Sequence, residues 1–437
     1  MADDDSQARE FVFDPKVFIS KPYRQCPKCR RQASFGVLMI QPHDYRRRCR
    51  ECWHSETFPL PQLRKKVLYL DQFAISNMMK ALNPNAKPQK GEADDLWREL
   101  FRTVDRLCKL QLLVCPDSEF HWKESLVSPF LGPLKRMYEL LSGGVTLHRR
   151  HAIELSQIYK HVQRWATGRE SQAWEFDLRA VANGEVDGWW DRLMITTNWG
   201  SITDQWADEF RRSRDTVHEG MVEVFQRWRQ ERRDFWDWFR EEARSYRAVL
   251  EVYTRYYQRL QDVSSGTVPP SLVGILPPPA VATVTTIHNA LTKAGIAQAE
   301  LWPRTVEYLT SDAVERLPFN RISAMLTAAI ARKAAAGQRR PPTRGIVNDI
   351  GLISAYLPYL DSMFIDKECH GYLMEQPLRD ELTYDCRVFS LNTTDELLSY
   401  LRDIEAAASS EHLATVKEVY GDDWATPYES LYAEPEA

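Results

Sequence analysis

The run Lys66-Val67-Leu68-Tyr69-Leu70-Asp71-Gln72-Phe73-Ala74-Ile75-Ser76-Asn77-Met78-Met79 constrains the fold more than any other stretch of the chain. Val67 to Leu70 is an unbroken apolar tetrad rich in β-formers, the pattern of a strand buried on both faces of a parallel sheet. A carboxylate ends it, and Phe73, Ile75, Met78 and Met79 continue with helix-like spacing. A strand that carries Asp71 to its C-terminal edge places charge where open α/β sheets bind ligands. The same Asp71 can also serve as a plain cap for the next helix.

Two further apolar segments repeat the theme. Leu110 to Cys115 reads as a second buried strand after a helix over Asp94–Leu107. Far downstream, Tyr359 to Asp366 reads as a strand flanked by Asp361 and Asp366, preceded by a helix from Asn348 that ends before Pro358. Arg387 to Leu391 and a helix over Asp395–Ile404 follow. Strand–helix alternation on both sides of a long helical block predicts one α/β sheet with a large insertion. At 437 residues the chain has room for about three domains of roughly 150 residues. The expected organisation is a loose tail over 1–20, a zinc ribbon over 21–62, the first part of the α/β domain over 63–132, a Trp-rich helical insertion over 133–340, the second α/β part over 341–405, and a tail over 406–437.

Cys26-Pro27-Lys28-Cys29 and Cys49-Arg50-Glu51-Cys52 are two Cys-x-x-Cys knuckles at the spacing of a four-thiolate zinc site. A hairpin between them (Ala33 to Ile40, then Tyr45 to Arg48) would bring four sulfurs to one tetrahedral ion. Four thiolates leave no open position, so this Zn²⁺ is expected to be structural. The ribbon is also where positive charge collects. From Lys21 to Lys66 there are twelve Lys/Arg against three Asp/Glu, in a chain whose net charge is −4. Arg46, Arg47, Arg48 and Arg50 interleave with Tyr23, Tyr45 and Trp53, a composition suited to phosphate contacts and base stacking. The other side of that reading is a solvated face packed on the acidic body.

From Pro133 to Gly337 helical periodicity and tryptophan dominate, and Asp204 to Asp262, free of proline, predicts one or two long helices. The aromatic stripe reads as bundle core, and the block offers a surface for a protein partner. A Pro-rich joint over Val268–Pro279 divides it. No apolar run approaches the ~20 residues that span a bilayer, and no signal-peptide h-region follows Met1. A cytoplasmic protein without membrane contact is expected.

Asp71, Glu124, Asp349 and Asp366 thus stand at the ends of separate elements. Four converging carboxylates repel unless a divalent cation lies between them, and hard oxygen ligands suit Mg²⁺ or Mn²⁺. Tyr69-Leu70-Asp71 ending the first strand resembles the opening of PIN-domain nucleases. Glu124 after the second strand, Asn348-Asp349 opening an apolar helix, and Ile365-Asp366 ending the next strand resemble the family's other acids, in the family's order. The resemblance covers about residues 64–130 and 341–405; the ribbon and helical block lie outside it. It implies a PIN-like three-layer sandwich and an Mg²⁺- or Mn²⁺-dependent endonuclease acting on RNA ahead of DNA, leaving 5′-phosphate and 3′-hydroxyl ends. Glu119 competes with Glu124 as the second acid, Asp361 is an additional candidate ligand, and His121 either orients a phosphate or packs. The alternative class is a non-catalytic zinc-ribbon adaptor that binds a protein or nucleic acid on a degenerate scaffold.

Overall fold

Between Ser20 and Pro59 the chain forms four short strands: β1 (Ser20–Arg24), β2 (Phe35–Ile40), β3 (Asp44–Cys49) and β4 (Ser55–Pro59). They make one antiparallel sheet in that order. The apolar tetrad is β5 (Lys66–Leu70), followed by β6 (Leu113–Val114), a small pair β7 (Thr146–Leu147) and β8 (Ala182–Asn183), then β9 (Ser362–Phe364) and β10 (Arg387–Phe389). The computed structural model describes residues 19–83, 93–126, 128–170, 172–191, 204–267 and 276–428. The 1–20 tail up to 18, nearly all of the Asn83–Ala93 loop, Trp199, the side chain of Trp206, the proline joint over 268–275 and the last residues lie outside this set.

The second sheet is wholly parallel, with order β10-β9-β5-β6. The chain runs from central β5 outward to β6, then returns to the other side of β5 for β9 and β10. The direction of winding therefore reverses between β5 and β9, which pair Leu68 with Ser362 and Leu70 with Phe364. Successive side chains of a strand face opposite ways, and the buried tetrad divides accordingly. Leu68 and Leu70 pack with helices Gln72–Leu82, Ala93–Lys109, Leu131–Ser142 and Thr394–Ala406, while Val67 and Tyr69 pack with helices Pro318–Ala335 and Ile346–Tyr356. Helices thus cover both faces of the sheet.

Three expectations change. Helix Leu131–Ser142 buries Leu134, Met137 and Leu141 in the core of the α/β half, so the helical block begins later than 133. The stretch expected as one or two long helices is three: Asp204–Trp228, Phe235–Arg244 and Ala248–Ser264. Asp234 ends the first run by accepting a hydrogen bond from the Asp237 amide at 2.8 Å, an N-cap that starts a new helix. The segment 406–437 is not all tail, since helix Ser410–Tyr420 buries Val416, Val419 and Tyr420 against Val37, Ile40 and Tyr45 of the ribbon.

Trp228 and Trp238 are buried as the aromatic-core reading predicts, in one cluster with Tyr69 and Val67 of β5. The helical block shares its core with the sheet. Among the described residues no helix is long and apolar enough to cross a membrane.

Candidate metal centres

The ribbon strands close the two knuckles on each other. Cys26 and Cys49 are buried, and the four sulfurs lie within 4.8 Å of one another. Cys26 Sγ and Cys52 Sγ are 3.6 Å apart, and Cys29 Sγ and Cys49 Sγ are 3.7 Å apart. Tetrahedral zinc with bonds of about 2.3 Å needs sulfur separations of about 3.8 Å, so the donor set and spacing fit Zn²⁺. Backbone amides of Cys29 and Glu51 approach Cys26 Sγ and Cys49 Sγ at 3.5 and 3.4 Å, as they do around thiolates.

The basic residues divide by strand alternation. Arg46 and Arg50 are exposed, but Arg47 is fully buried and donates to the carbonyls of Pro22 (2.8 Å), Phe35 (3.4 Å) and Glu418 (2.7 Å). Tyr45 is buried too and donates to Glu418 Oε1 at 2.7 Å. Both belong to the seam between ribbon and C-terminal helix, which corrects their assignment to a nucleic-acid face. Trp53 and Tyr23 remain exposed, each under an arginine: Arg48 over Trp53 at 5.0 Å and Arg50 over Tyr23 at 5.5 Å.

The acids lie at the other sheet. Asp71 directly follows β5, and its amide donates to Phe364 O at 3.0 Å, the last residue of β9. Its Oδ1 accepts from Gln72 N at 2.7 Å, so it caps helix Gln72–Leu82 as well. Asp366 follows β9. Its Oδ1 accepts from the Glu368 and Cys369 amides at 2.7 and 3.0 Å and caps helix Lys367–Met374, while its Oδ2 is buried with no protein partner. Both carboxylates therefore stand at the C-terminal ends of adjacent strands, at the point where the winding reverses, the usual ligand crevice of open α/β sheets. Asp349 lies in the first turn of helix Ile346–Tyr356.

Asp349, Asp366 and Cys369 bring potential ligand atoms within 4.8 Å of one another. Asp71 and Glu124 fall outside that tight group but act on it through charge. Burial raises Asp349 to about 9, helped by the charges of Asp71, Asp366 and Glu124. Burial likewise raises Asp71 to about 8, with Glu124 the leading neighbour and Asp366 behind it, against the opposing Gln72 amide. The arrangement is strongly acidic. It has clustered carboxylates, two of them held largely protonated near neutral pH, and one buried oxygen lacking a donor.

Cys369 is the neighbour that sequence reasoning missed. Burial pushes its thiol well above the usual range, and the Asp349 and Asp366 charges add to this. It stands as a neutral wall of the centre. The signal was its position three residues after Asp366, one turn along the same helix.

The remaining candidates separate. Glu119 is engaged elsewhere: Oε1 accepts from the Arg150 amide at 2.6 Å and Oε2 pairs with Lys123 at 2.6 Å. Asp361 precedes β9, at the opposite end of the sheet from Asp366. There it binds Lys66 Nζ at 2.7 Å and accepts from Val67 N at 2.9 Å, so its candidacy as a ligand is corrected to a strand anchor. His121 is buried between the rings of Tyr69 and Tyr138, each 4.8 Å away, with Nε2 on Leu70 O at 2.7 Å. Burial lowers it to about 4, so it is neutral and packs behind β5. Compared with protein-family models, curated proteins and solved structures, the chain has no significant match to any.

Proposed function

We propose that this chain is a divalent-metal-dependent endonuclease of the PIN type, acting on RNA ahead of DNA. The observation that carries the reading is the placement of Asp71 and Asp366 at the C-terminal ends of adjacent β5 and β9, with Asp366 Oδ2 buried and unpartnered and a ligand atom of Asp349 within 4.8 Å of one of Asp366. Asp71, Glu124, Asp349 and Asp366 would hold Mg²⁺ or Mn²⁺. Bound there, the ion supplies charge neutralisation at phosphorus and activation of water.

The chain's own residues do the rest. Asp71 and Asp366 are fixed by their helix-capping bonds, so their free oxygens are preorganised and not floppy. Asp71 and Asp349 give up protons when the ion arrives, because their raised affinities for protons reflect burial and mutual repulsion. Family likeness gives 5′-phosphate and 3′-hydroxyl products. The exposed Trp53–Arg48 and Tyr23–Arg50 pairs of the ribbon would hold the nucleic acid away from the centre.

Incubating purified protein with end-labelled RNA and DNA in Mg²⁺, Mn²⁺ or EDTA tests this. Metal-dependent shortening of RNA, abolished by EDTA, is expected; intact substrates in every metal would favour the adaptor class.

A further inference from the structure

We propose that Cys369 is a metal ligand, and that with Asp349 and Asp366 it forms a mixed sulfur–oxygen site for a divalent transition metal of the Zn²⁺ and Co²⁺ class in preference to Mg²⁺. The proposal rests on reading these acids as a metal centre and names the ion they select. The three residues bring one sulfur and two carboxylate oxygens within 4.8 Å of one another. Zinc bonds of about 2.3 Å to sulfur and about 2.1 Å to oxygen set tetrahedral ligand atoms about 3.6 Å apart, so three such donors fit around one ion within that span.

The local fold puts the sulfur there. Asp366 caps helix Lys367–Met374, and its Oδ1 accepts from the Cys369 amide at 3.0 Å, which fixes the helix start. Cys369 lies three residues on, so its side chain shares a face with the capping residue and leans back toward the helix N-terminus. Asp349 arrives from the first turn of another helix, Ile346–Tyr356. Cys369 is fully buried. A buried cysteine is ordinarily a small hydrophobe, and its neighbours Tyr372 and Leu373 are part of an apolar cluster. A hydrophobe gains nothing from two facing carboxylates, however, and Asp366 Oδ2 is buried there with no protein partner. One cation bonded to the sulfur and to that oxygen satisfies both.

The donor set then sorts the metals. Mg²⁺ requires near-octahedral oxygen and gives up its waters reluctantly, so a sulfur adds nothing for it. Thiolate favours zinc and its neighbours, whereas oxygen-only sets suit Mg²⁺ and Mn²⁺. The proton that keeps the Cys369 thiol neutral passes to solvent when the sulfur bonds the metal, because a coordinating thiol is deprotonated. Three protein ligands leave a fourth position open, unlike the closed four-sulfur ribbon.

Titration of the full chain with Co²⁺, its ribbon already loaded with zinc, tests the site by optical absorption and without catalysis. Elemental analysis checks that the ribbon zinc stays in place. The wild type should take up one Co²⁺ with a sulfur-to-cobalt charge-transfer band, and excess Mg²⁺ should not displace it. Cys369→Ser should lose the band and bind Co²⁺ about tenfold or more weakly, since even an outer-shell partner of a metal is worth that much. Its Mg²⁺ affinity, read by titration calorimetry, should stay level. Asp349→Asn keeps the thiol and should weaken Co²⁺ binding to a similar degree. It decides alone if thermal melts show that Cys369→Ser does not fold. No band in the wild type, or wild-type Co²⁺ affinity in either variant, overturns the assignment of Cys369. RNA cleavage in Mg²⁺ by a wild type that lacks the band would overturn it and leave the nuclease reading in place. The band without cleavage of any substrate would support the sulfur–oxygen site and remove the nuclease.

Discussion

Asp366 uses its two oxygens differently. Oδ1 caps a helix and Oδ2 is left over, so the two roles can be separated by substitution. Asp366→Asn can keep the cap, whereas Asp366→Ala loses it and should cost about 1 kcal/mol in denaturant melts. Both should abolish metal-dependent cleavage, and an active Asp366→Asn would reduce the residue to a cap. Asp71 and Asp349 carry the pH dependence. Each binds its proton more tightly folded than unfolded, at about 8 and about 9 against an ordinary 3.8. Their contribution to stability is therefore complete below about pH 4 and is lost as pH rises through 8 and 9, by at most ~1.4 kcal/mol per pH unit for each group. Thermal melts in EDTA from pH 6 to 9 should show stability falling, and Asp349→Asn should flatten the fall. A melt curve independent of pH would mean that burial and mutual repulsion do not raise the two carboxyls. The positions of Asp71, Asp349 and Asp366 at element ends were legible because each sits beside an apolar run whose end the sequence marks. The fates of Glu119 and Asp361 were not, since each is decided by partners distant in the chain or across the sheet, such as Arg150 and Lys66.

At the scale of elements, strand alternation does the sorting. In β3 the buried residues are Tyr45, Arg47 and Cys49, and the period of two that puts Cys49 on its ligand face puts Arg47 inside with it. That signal was present in the sequence, but the density of arginines hid it. Neutralising Arg46, Arg48 and Arg50 should weaken RNA binding and lower its salt slope with little change in melting, as fewer counterions are released. Arg47→Ala should instead destabilise the fold by on the order of 2–4 kcal/mol, because three carbonyls lose a charged donor. An unchanged salt slope in the first variant would make the ribbon a protein-binding surface. The apolar β5 tetrad was legible because burial on both faces demands it, and the helix spacing around it followed. The break at Asp234 was not read because the acidic cap lies among many charged residues, although Asp before an apolar pattern is a start signal.

For the whole molecule, the C-terminal helix helps to join the two sheets' territories. It carries Glu418, which holds Arg24, Tyr45 and Arg47 of the ribbon, while His412 and Trp424 bond the Leu110 and Lys109 carbonyls of the α/β body. Its Val416, Val419 and Tyr420 repeat at helical spacing, a stripe that was legible and misread as tail. Zinc loss should therefore unfold the ribbon first and leave the body's own core, and elemental analysis of Cys26→Ser should show zinc below one per chain. Full zinc occupancy in that variant would contradict the four-sulfur site. The shared core of sheet and helical block was beyond the sequence, since no local pattern says which helix face meets β5. The central claim is that Asp71 and its neighbours hold a metal for phosphodiester cleavage. Its most direct test is the rate of labelled-RNA cleavage in Mg²⁺ or Mn²⁺ by Asp71→Asn, a nearly isosteric change that keeps an acceptor for the Gln72 amide. The account predicts a fall of about a thousandfold or more, the scale of a lost metal-held transition state, with metal-free melting level or raised. Cleavage at the wild-type rate, or collapse of the metal-free fold, would contradict it and leave Asp71 a helix cap.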